Sequence, residues 1–340
     1  AKGALPMGHA NMSEFAFSGL CLNPSFGTPR NALNPQLAPG GSSSGCASAI
    51  ALGLADLAIG TDTSGSARIP AAYQGIVGFR PTIGRYHCAG VFPLAPELDT
   101  PGPMARNMAG LRLLDDALRL PHASPSGGDL QKNCLIWPDL QTLGPMDPEI
   151  EVMCDFVTVK LKAAGWRVER RRVESLEAVQ SLFSQYGTLV SAAAPDVLAR
   201  YTQLSHPRID RNISIRLTQA RQITTAASRF IRAARPKLQA TLRRELGSDL
   251  LLLPTVPHLP PRMDKIVACP DNFAHENARA LRLAMLGAFL DMPSLSLPCG
   301  VKSPGHALTI AGRQGADDQV LNTGSQVETL LCHTPQEIFA

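Results

Sequence analysis

Two serine-rich turns carry the residue types that nucleophilic chemistry needs. One reads GGSSSG over residues 40–45, and the other reads TDTSGS over residues 61–66. Consecutive small residues can direct successive backbone N–H groups toward one point, which is how an oxyanion hole is built. Ser66 would lie at the centre of the second turn. Serine is a weak nucleophile without a base in hydrogen-bond reach, so Ser42 in the first turn is a candidate proton relay.

The same residues allow simpler interpretations. A Gly/Ser run is more often a flexible turn than a catalytic site. A phosphate-binding loop is excluded, because no Gly-Lys-Ser/Thr follows the glycines. The apolar run from Ala47 to Ile59 carries Asp56 and is too short to span a membrane. It has room for one short helix and one strand.

The whole stretch from Gly40 to Thr82 resembles the signature of the amidase signature family. GGSSSG, then GTDTSGSARIPA and GFRPT, follow the family pattern nearly position for position. The family's cis-serine and nucleophilic serine correspond to Ser42 and Ser66, which are 66 − 42 = 24 residues apart. Ser64 departs from the pattern, since the family usually has glycine there. We expect it to be tolerated only with a negative φ.

The resemblance implies a role for each matching residue. Ser66 attacks an amide carbonyl, and Ser42, whose peptide bond to Gly41 is expected to be cis, passes the proton. The oxyanion is held by backbone N–H groups of Thr63, Ser64, Gly65 and Ser66. The turns are supported from behind by Asp62, Arg68 and Ser43. The acyl pocket is lined by Ala16, Phe17 and Ser18, although core packing explains Phe17 equally well.

The family's third catalytic residue is a lysine on a strand upstream of the first serine turn, and it is not among residues 1–340. No lysine of this chain has a matching sequence context. We therefore expect these residues alone to be a poor hydrolase. His9 is an alternative base, but a lone histidine is more often a hydrogen-bonded structural residue.

Charge and composition exclude several classes of function. A net charge of +4 is too small to indicate binding of nucleic acid. The sequence also has no run of 18 apolar residues, which a membrane-spanning helix would need. Eight cysteines without CxxC or Cys/His spacing indicate reduced thiols and a cytoplasmic location. The partner expected is a small-molecule amide, without a metal or organic cofactor. The sequence leaves open whether the protein forms a homodimer.

Sequence patterns predict the remaining elements. We expect helices over 104–120 and 149–164, and strands at 134–137 and 166–169. A largely helical region over 173–234 is expected to break at Pro195 and Pro207. Further strands resemble family segments at 249–257, 292–300 and 307–313. A loop at 122–128 is the best candidate boundary.

Charged residues outside the signature leave two questions open. Asp99 and Arg106 lie in LDTPGPMAR, where the resemblance implies a buried ion pair, although a solvated pair is the simpler interpretation. Seven arginines recur between residues 208 and 235. They coat a solvated face, or one of them reaches the mouth of the site to hold a substrate carboxylate.

The resemblance implies an α/β fold with a large mixed twisted sheet covered by helices on both faces. We predict a single domain over 1–340, with a catalytic core at 1–120, a variable helical region at 121–248 and completing strands and a helix at 249–335. The expected function is hydrolysis of a carboxylic amide through an acyl-enzyme on Ser66. The alternatives are the amidase subunit of a glutamyl-tRNA amidotransferase and a catalytically incomplete chain.

Overall fold

A mixed sheet of eight strands organises the described part of the chain. The computed structural model describes residues 3–121, 133–300 and 303–332. With strands numbered in chain order, the sheet order is β1-β3-β2-β7-β8-β6-β4-β5. Neighbours are antiparallel from β1 through to β6, and β6, β4 and β5 run parallel to one another. The prediction of a mixed α/β sheet is confirmed.

The elements have the following bounds. The strands are β1 Leu57–Thr61, β2 Val77–Arg80, β3 Pro101–Ala105, β4 Leu135–Trp137, β5 Val168–Arg170, β6 Leu250–Pro254, β7 Ser294–Pro298 and β8 Ala307–Ala311. The helices within the described ranges are α1 Ser44–Ala51, α2 Arg68–Gln74, α3 Met108–Leu118, α4 Pro148–Ala163, α5 Glu174–Tyr186, α6 Leu189–Leu198, α7 Arg211–Ala220, α8 Thr225–Leu246, α9 Met263–Ala268, α10 Pro270–Phe289 and α11 Asp317–Cys332. Short 3₁₀ segments cover Glu14–Ala16 and Leu140–Leu143.

Helices cover both faces of the sheet, because its strands are apolar on both sides. Along β6, Leu251 and Leu253 pack into a core with α5 to α8 and α10, whereas Leu250 and Leu252 pack into a second core with α3, α4 and α11. Successive strand side chains point to opposite faces, so a strand of consecutive leucines needs cover on both.

Two local predictions are wrong in an instructive way. Met104 belongs to β3 rather than to the following helix, which begins at Met108 after Asn107 caps the N–H of Gly110. Pro195 lies inside α6 instead of ending it. A proline keeps a helical φ and removes one hydrogen bond. The apolar face of α6, which includes Leu189, Val190 and Leu198, packs against the core and holds the helix together.

The division into a core, a variable region and a completing segment is not tested by the architecture and stays a prediction. The candidate boundary at 122–128 lies outside the described residues. The run from Ala47 to Ile59 does supply one short helix and one strand, α1 and β1, as predicted.

Candidate active site

The two serine turns lie against each other between strand and helix. Ser66 occupies the connection from β1 to α2, and Ser42 lies two residues before α1. The backbone N–H of Ser43 donates to the carbonyl of Ser66 at 3.1 Å, which ties the turns together. Ser42 is 0% and Ser66 3% exposed. The predicted cis peptide bond between Gly41 and Ser42 is confirmed.

Glycine at position 41 is required by close backbone approach. A Cβ atom there would lie 2.7 Å from the carbonyl oxygen of Ser18 and 2.8 Å from Oγ of Ser13. The N–H of Gly41 also donates to the carbonyl of Gly19 at 2.7 Å. The first serine turn is therefore pressed onto the segment that runs through residues 13–19, and no side chain fits between them.

The second turn presents backbone N–H groups of two kinds. Gly65 donates its N–H to Oδ1 of Asp62 at 2.7 Å, so this proton is committed within the turn. The N–H groups of Thr63, Ser64 and Ser66 form no hydrogen bond with any described residue. Ser64 is not among the described residues that have positive φ, which confirms the expected condition for a serine here. Three donors stay available to a ligand.

A buried ionic cluster fixes the shape of this turn. Asp62 accepts hydrogen bonds from Arg68 at 2.9 and 3.0 Å and lies 3.8 Å from Nε of Arg80. Arg68 also donates to the carbonyl of Ala284 at 3.1 Å. Burial raises the pKa of Asp62, but Arg68, Arg80 and the N–H of Gly65 outweigh it, so the pKa lies below its ordinary value. The carboxylate is ionised and holds both ends of the turn.

Thr63 is held from the other side by Asp99. Its Oγ1 donates to Oδ1 of Asp99 at 2.6 Å, and Asp99 also accepts from the backbone N–H groups of Leu94 and Ala95. The expected ion pair of Asp99 with Arg106 is wrong, as is a solvated pair. Asp99 is buried and satisfied by these donors, whereas Arg106 is exposed.

The residues expected to line the acyl pocket lie at the end of a tightly folded segment, the 3₁₀ turn Glu14–Ala16. Ala16 has a φ of 56°, Phe17 is 2% exposed, and Oγ of Ser18 donates to Oδ1 of Asn277 at 3.2 Å. Phe17 joins the core shared with α5 to α8, so its packing role is real, and its ring also faces Arg216. The pocket role of these three residues stays a proposal.

Sequence reasoning missed Asn277, which supports this segment from α10. Its Oδ1 accepts from both Oγ of Ser18 and the N–H of Gly19, at 3.2 and 2.8 Å, and the residue is 0% exposed. It lies more than 250 residues along the chain from its partners. No local pattern in a helix reveals such a contact.

The hydroxyl of Ser42 is buried and has no hydrogen-bond partner among the described residues. The lysines of the described ranges lie on α4, α8 and α9, and none of them reaches it. His9 is exposed and makes no hydrogen bond within the described part of the chain, so the expectation of a hydrogen-bonded structural histidine is wrong.

Two kinds of feature are absent from the described residues. No cluster of His, Cys, Asp and Glu side chains there is arranged to hold a metal ion. In the same ranges, no helix is both long and apolar enough to cross a bilayer.

Comparisons with known proteins agree with this geometry. The family model Amidase matches residues 1–130. The chain is 30% identical over 339 residues to 2-amino-5-chloromuconic acid deaminase of Comamonas testosteroni, covering 96% of this chain and 72% of that protein. It is 30% identical over 376 residues to a glutamyl-tRNA(Gln) amidotransferase subunit of Thermus thermophilus, covering 96% and 76%.

Among solved structures, one described as the crystal structure of amidase superposes with a TM-score of 0.81 at 28% identity. The match covers 94% of this chain and 73% of that one. The similarity to these relatives extends along nearly the whole chain and is not confined to the signature. The chain therefore belongs to the amidase signature family and is an amidase, an enzyme that acts on the C–N bond of a carboxylic amide.

Proposed function

We propose that this amidase hydrolyses a linear carboxylic amide through an acyl-enzyme on Ser66. Oγ of Ser66 attacks the carbonyl carbon, and its proton passes to Ser42 while Ser42 gives its own hydroxyl proton to a base. The C–N bond then breaks, the leaving nitrogen takes a proton, and ammonia or an amine departs. Water attacks the ester on Ser66 and releases the carboxylic acid. The observation that carries the proposal is the contact of the two buried serine turns beside N–H donors that have no partner in the described part of the chain.

The N–H groups of Thr63, Ser64 and Ser66 stabilise the tetrahedral oxyanion in this proposal. Their protons have no partner within the described residues, and preorganised donors of this kind supply a large part of the rate enhancement in acyl transfer. The N–H of Gly65 instead bonds Asp62. Asp62 and Arg68 support the turn, and Ser43 ties it to the first turn.

Proton transfer requires a base beyond the two serines, because neither has a pKa near neutrality. The buried hydroxyl of Ser42 without a partner in the described ranges marks the place at which such a base would act. By the family resemblance this base is a neutral lysine. The proposal for Ser42 is thus a relay between Ser66 and that group.

Covalent labelling tests the assignment of the nucleophile. A fluorophosphonate probe, followed by peptide mapping, is expected to modify Ser66 in the protein encoded by the complete gene. Ser66→Ala should abolish labelling and turnover. Ser42→Ala should lower kcat with little change in the binding of a competitive product acid, because its role is proton relay. Labelling at another serine, with Ser66→Ala still active, contradicts the proposal.

The substrate is a small-molecule amide in this proposal, without a direct nucleic-acid partner. One relative is named for 2-amino-5-chloromuconic acid, so acid-bearing amides belong in the assay panel beside neutral ones. A second candidate function is that of an amidotransferase subunit, because one relative has that name. Ammonia release from simple amides by the purified protein, without a co-purifying partner, separates an independent amidase from such a subunit.

We also propose a cytoplasmic location. The seven cysteines whose side chains are described are all free, and burial raises the pKa of several, including Cys21 and Cys154. Such thiols suit a reducing compartment. Fractionation of the native cell with immunodetection tests this, and recovery in an extracellular fraction contradicts it.

A further inference from the structure

We propose that Arg216 binds a carboxylate on the acyl portion of the substrate, so that the amides this enzyme prefers are monoamides of dicarboxylic acids. The inference rests on the proposed function, since it places the anion beside Phe17, in the acyl pocket that the family resemblance implies. It is carried by the position of Arg216 against the Phe17 ring and by the absence of any hydrogen-bond or ionic partner for its guanidinium group among the described residues.

The position of Arg216 follows from its helix. In α7, Ile213, Leu217 and Ala220 are buried, and Arg216 lies beside that face rather than opposite it. Its guanidinium carbon lies 4.4 Å from the centre of the Phe17 ring. Phe17 directly precedes Ser18, whose carbonyl oxygen lies against Gly41 of the first serine turn. Arg216 is therefore one side chain removed from the segment that packs on the catalytic turns.

The start of α7 is fastened to the same segment. The backbone N–H of Asp210 donates to Oε2 of Glu14 at 2.6 Å, and Asp210 caps the helix by accepting from Asn212 and Ile213. Glu14 begins the 3₁₀ segment that ends at Ala16. Arg216 is thus held at a fixed place relative to Phe17 by contacts at the helix start.

The guanidinium group has no counter-charge within the described residues. The side chain of Arg216 forms no hydrogen bond or ion pair there, and its Nε is buried without a partner. Glu14 and Asp210 are the nearby carboxylates fastened to α7, and neither pairs with it. Of the other arginines in the region, Arg232 pairs with Glu97 and Arg235 donates to the carbonyl of Phe289. The remaining ones are exposed to solvent, unlike Arg216, namely Arg208, Arg211, Arg221 and Arg229.

This combination is typical of an anion-binding residue. Burial lowers the pKa of Arg216 to about 10, so the group is still a cation near neutral pH. A guanidinium whose Nε is buried without a partner is unfavourable, and a planar carboxylate satisfies it through paired charge-assisted hydrogen bonds. The Phe17 ring stabilises the cation and fixes the plane of the fork.

Matched substrates test the proposal. The monoamides of malonic, succinic and glutaric acid are compared with neutral aliphatic amides of equal length, and kcat/KM is measured for each with the protein encoded by the complete gene. For the best acid, Arg216→Gln is expected to lower the ratio of acid to neutral kcat/KM by roughly 10- to 100-fold. Arg211→Gln, an exposed arginine on the same helix, is the control and should leave that ratio as in the wild type.

A binding measurement separates failure of this inference from failure of the proposed function. Succinate or glutarate is titrated into the Ser66→Ala protein by calorimetry, and the added Arg216→Gln change should weaken binding at least tenfold. If no amide is turned over but the acid still binds through Arg216, the proposed function fails and the anion site stands.

The inference is overturned if acid and neutral amides lose activity equally, if the ratio shifts less than about threefold, or if the acid binds equally well without Arg216. Should Arg216→Gln fail to fold, Arg216→Lys replaces it, because it keeps the charge but loses the planar fork. A lowered acid preference with lysine supports the proposal, and an unchanged preference overturns it.

Discussion

Replacing Asp62 with alanine tests whether the buried ionic cluster maintains the turn that carries Ser66. The carboxylate holds Arg68 through two hydrogen bonds, the N–H of Gly65 at 2.7 Å, and Arg80 at 3.8 Å. Asp62→Ala leaves two guanidinium groups buried, at 2% and 0% exposure, without that counter-charge. Breaking a buried pair from one side costs about 3–5 kcal/mol of unfolding free energy.

Urea denaturation followed by tryptophan fluorescence measures this loss, since Trp137 is buried in the sheet. Asp62→Asn retains part of the hydrogen bonding and should be less damaging than Asp62→Ala. Asp264→Ala is the matched control, because Asp264 forms an exposed pair with Arg262. It should be indistinguishable from wild type.

The pH dependence has a defined sign. The folded pKa of Asp62 is lower than its unfolded value, so its contribution to stability is fully present above the unfolded pKa. That contribution is lost as the pH falls through the folded pKa. The difference in stability between wild type and Asp62→Asn should therefore narrow in acid. If Asp62→Ala is as mild as Asp264→Ala, the cluster does not support the turn and the reasoning is refuted.

Three further substitutions test the surroundings of the site. Gly65→Ala places a Cβ 2.6 Å from the Cβ of Ala284 at a φ of 125°. We expect the free energy of unfolding to fall by about 1–3 kcal/mol and kcat to fall markedly, and wild-type values of both would contradict this. Asn277→Ala leaves the hydroxyl of Ser18 and the N–H of Gly19 without their acceptor, and should lower the free energy of unfolding by about 1–3 kcal/mol. An unchanged melting temperature would refute the supporting role of Asn277. Thr63→Val removes the bond to Asp99 and should lower kcat more than it changes KM, which steady-state kinetics will decide.

The parts of the molecule that could be predicted from the sequence are those determined by neighbours in the chain. The helix and strand between the serine turns follow from an apolar run bounded by glycines. Asp62 and Arg68 were expected as supports of the turn from the family resemblance, and their pairing spans only six residues. In contrast, the bonds of Asn277 to Ser18 and of Asp99 to Thr63 depend on how distant segments meet. Arg216 stood among seven similar arginines, and only packing against Phe17 distinguished it.

Local rules also failed where tertiary packing outweighed them. Pro195 was expected to end a helix, but the buried face of α6 keeps the helix intact on both sides of it. Asp99 and Arg106 look like ion-pair partners in a linear motif, yet backbone donors reach the carboxylate first. In each case the residue types determine which groups are available, and the fold decides between them.

The dependence of both serine turns on α10 has a consequence for synthesis on the ribosome. Ser42 and Ser66 are made first, and Asn277 and Ala284, which hold the segments around them, follow more than 200 residues later. At about 5–20 residues per second, that interval lasts roughly 10–45 s. Throughout it, the growing chain carries Ser66 without the contacts that shape the surrounding turn, so the proposed acyl-enzyme chemistry has to wait until α10 has been made.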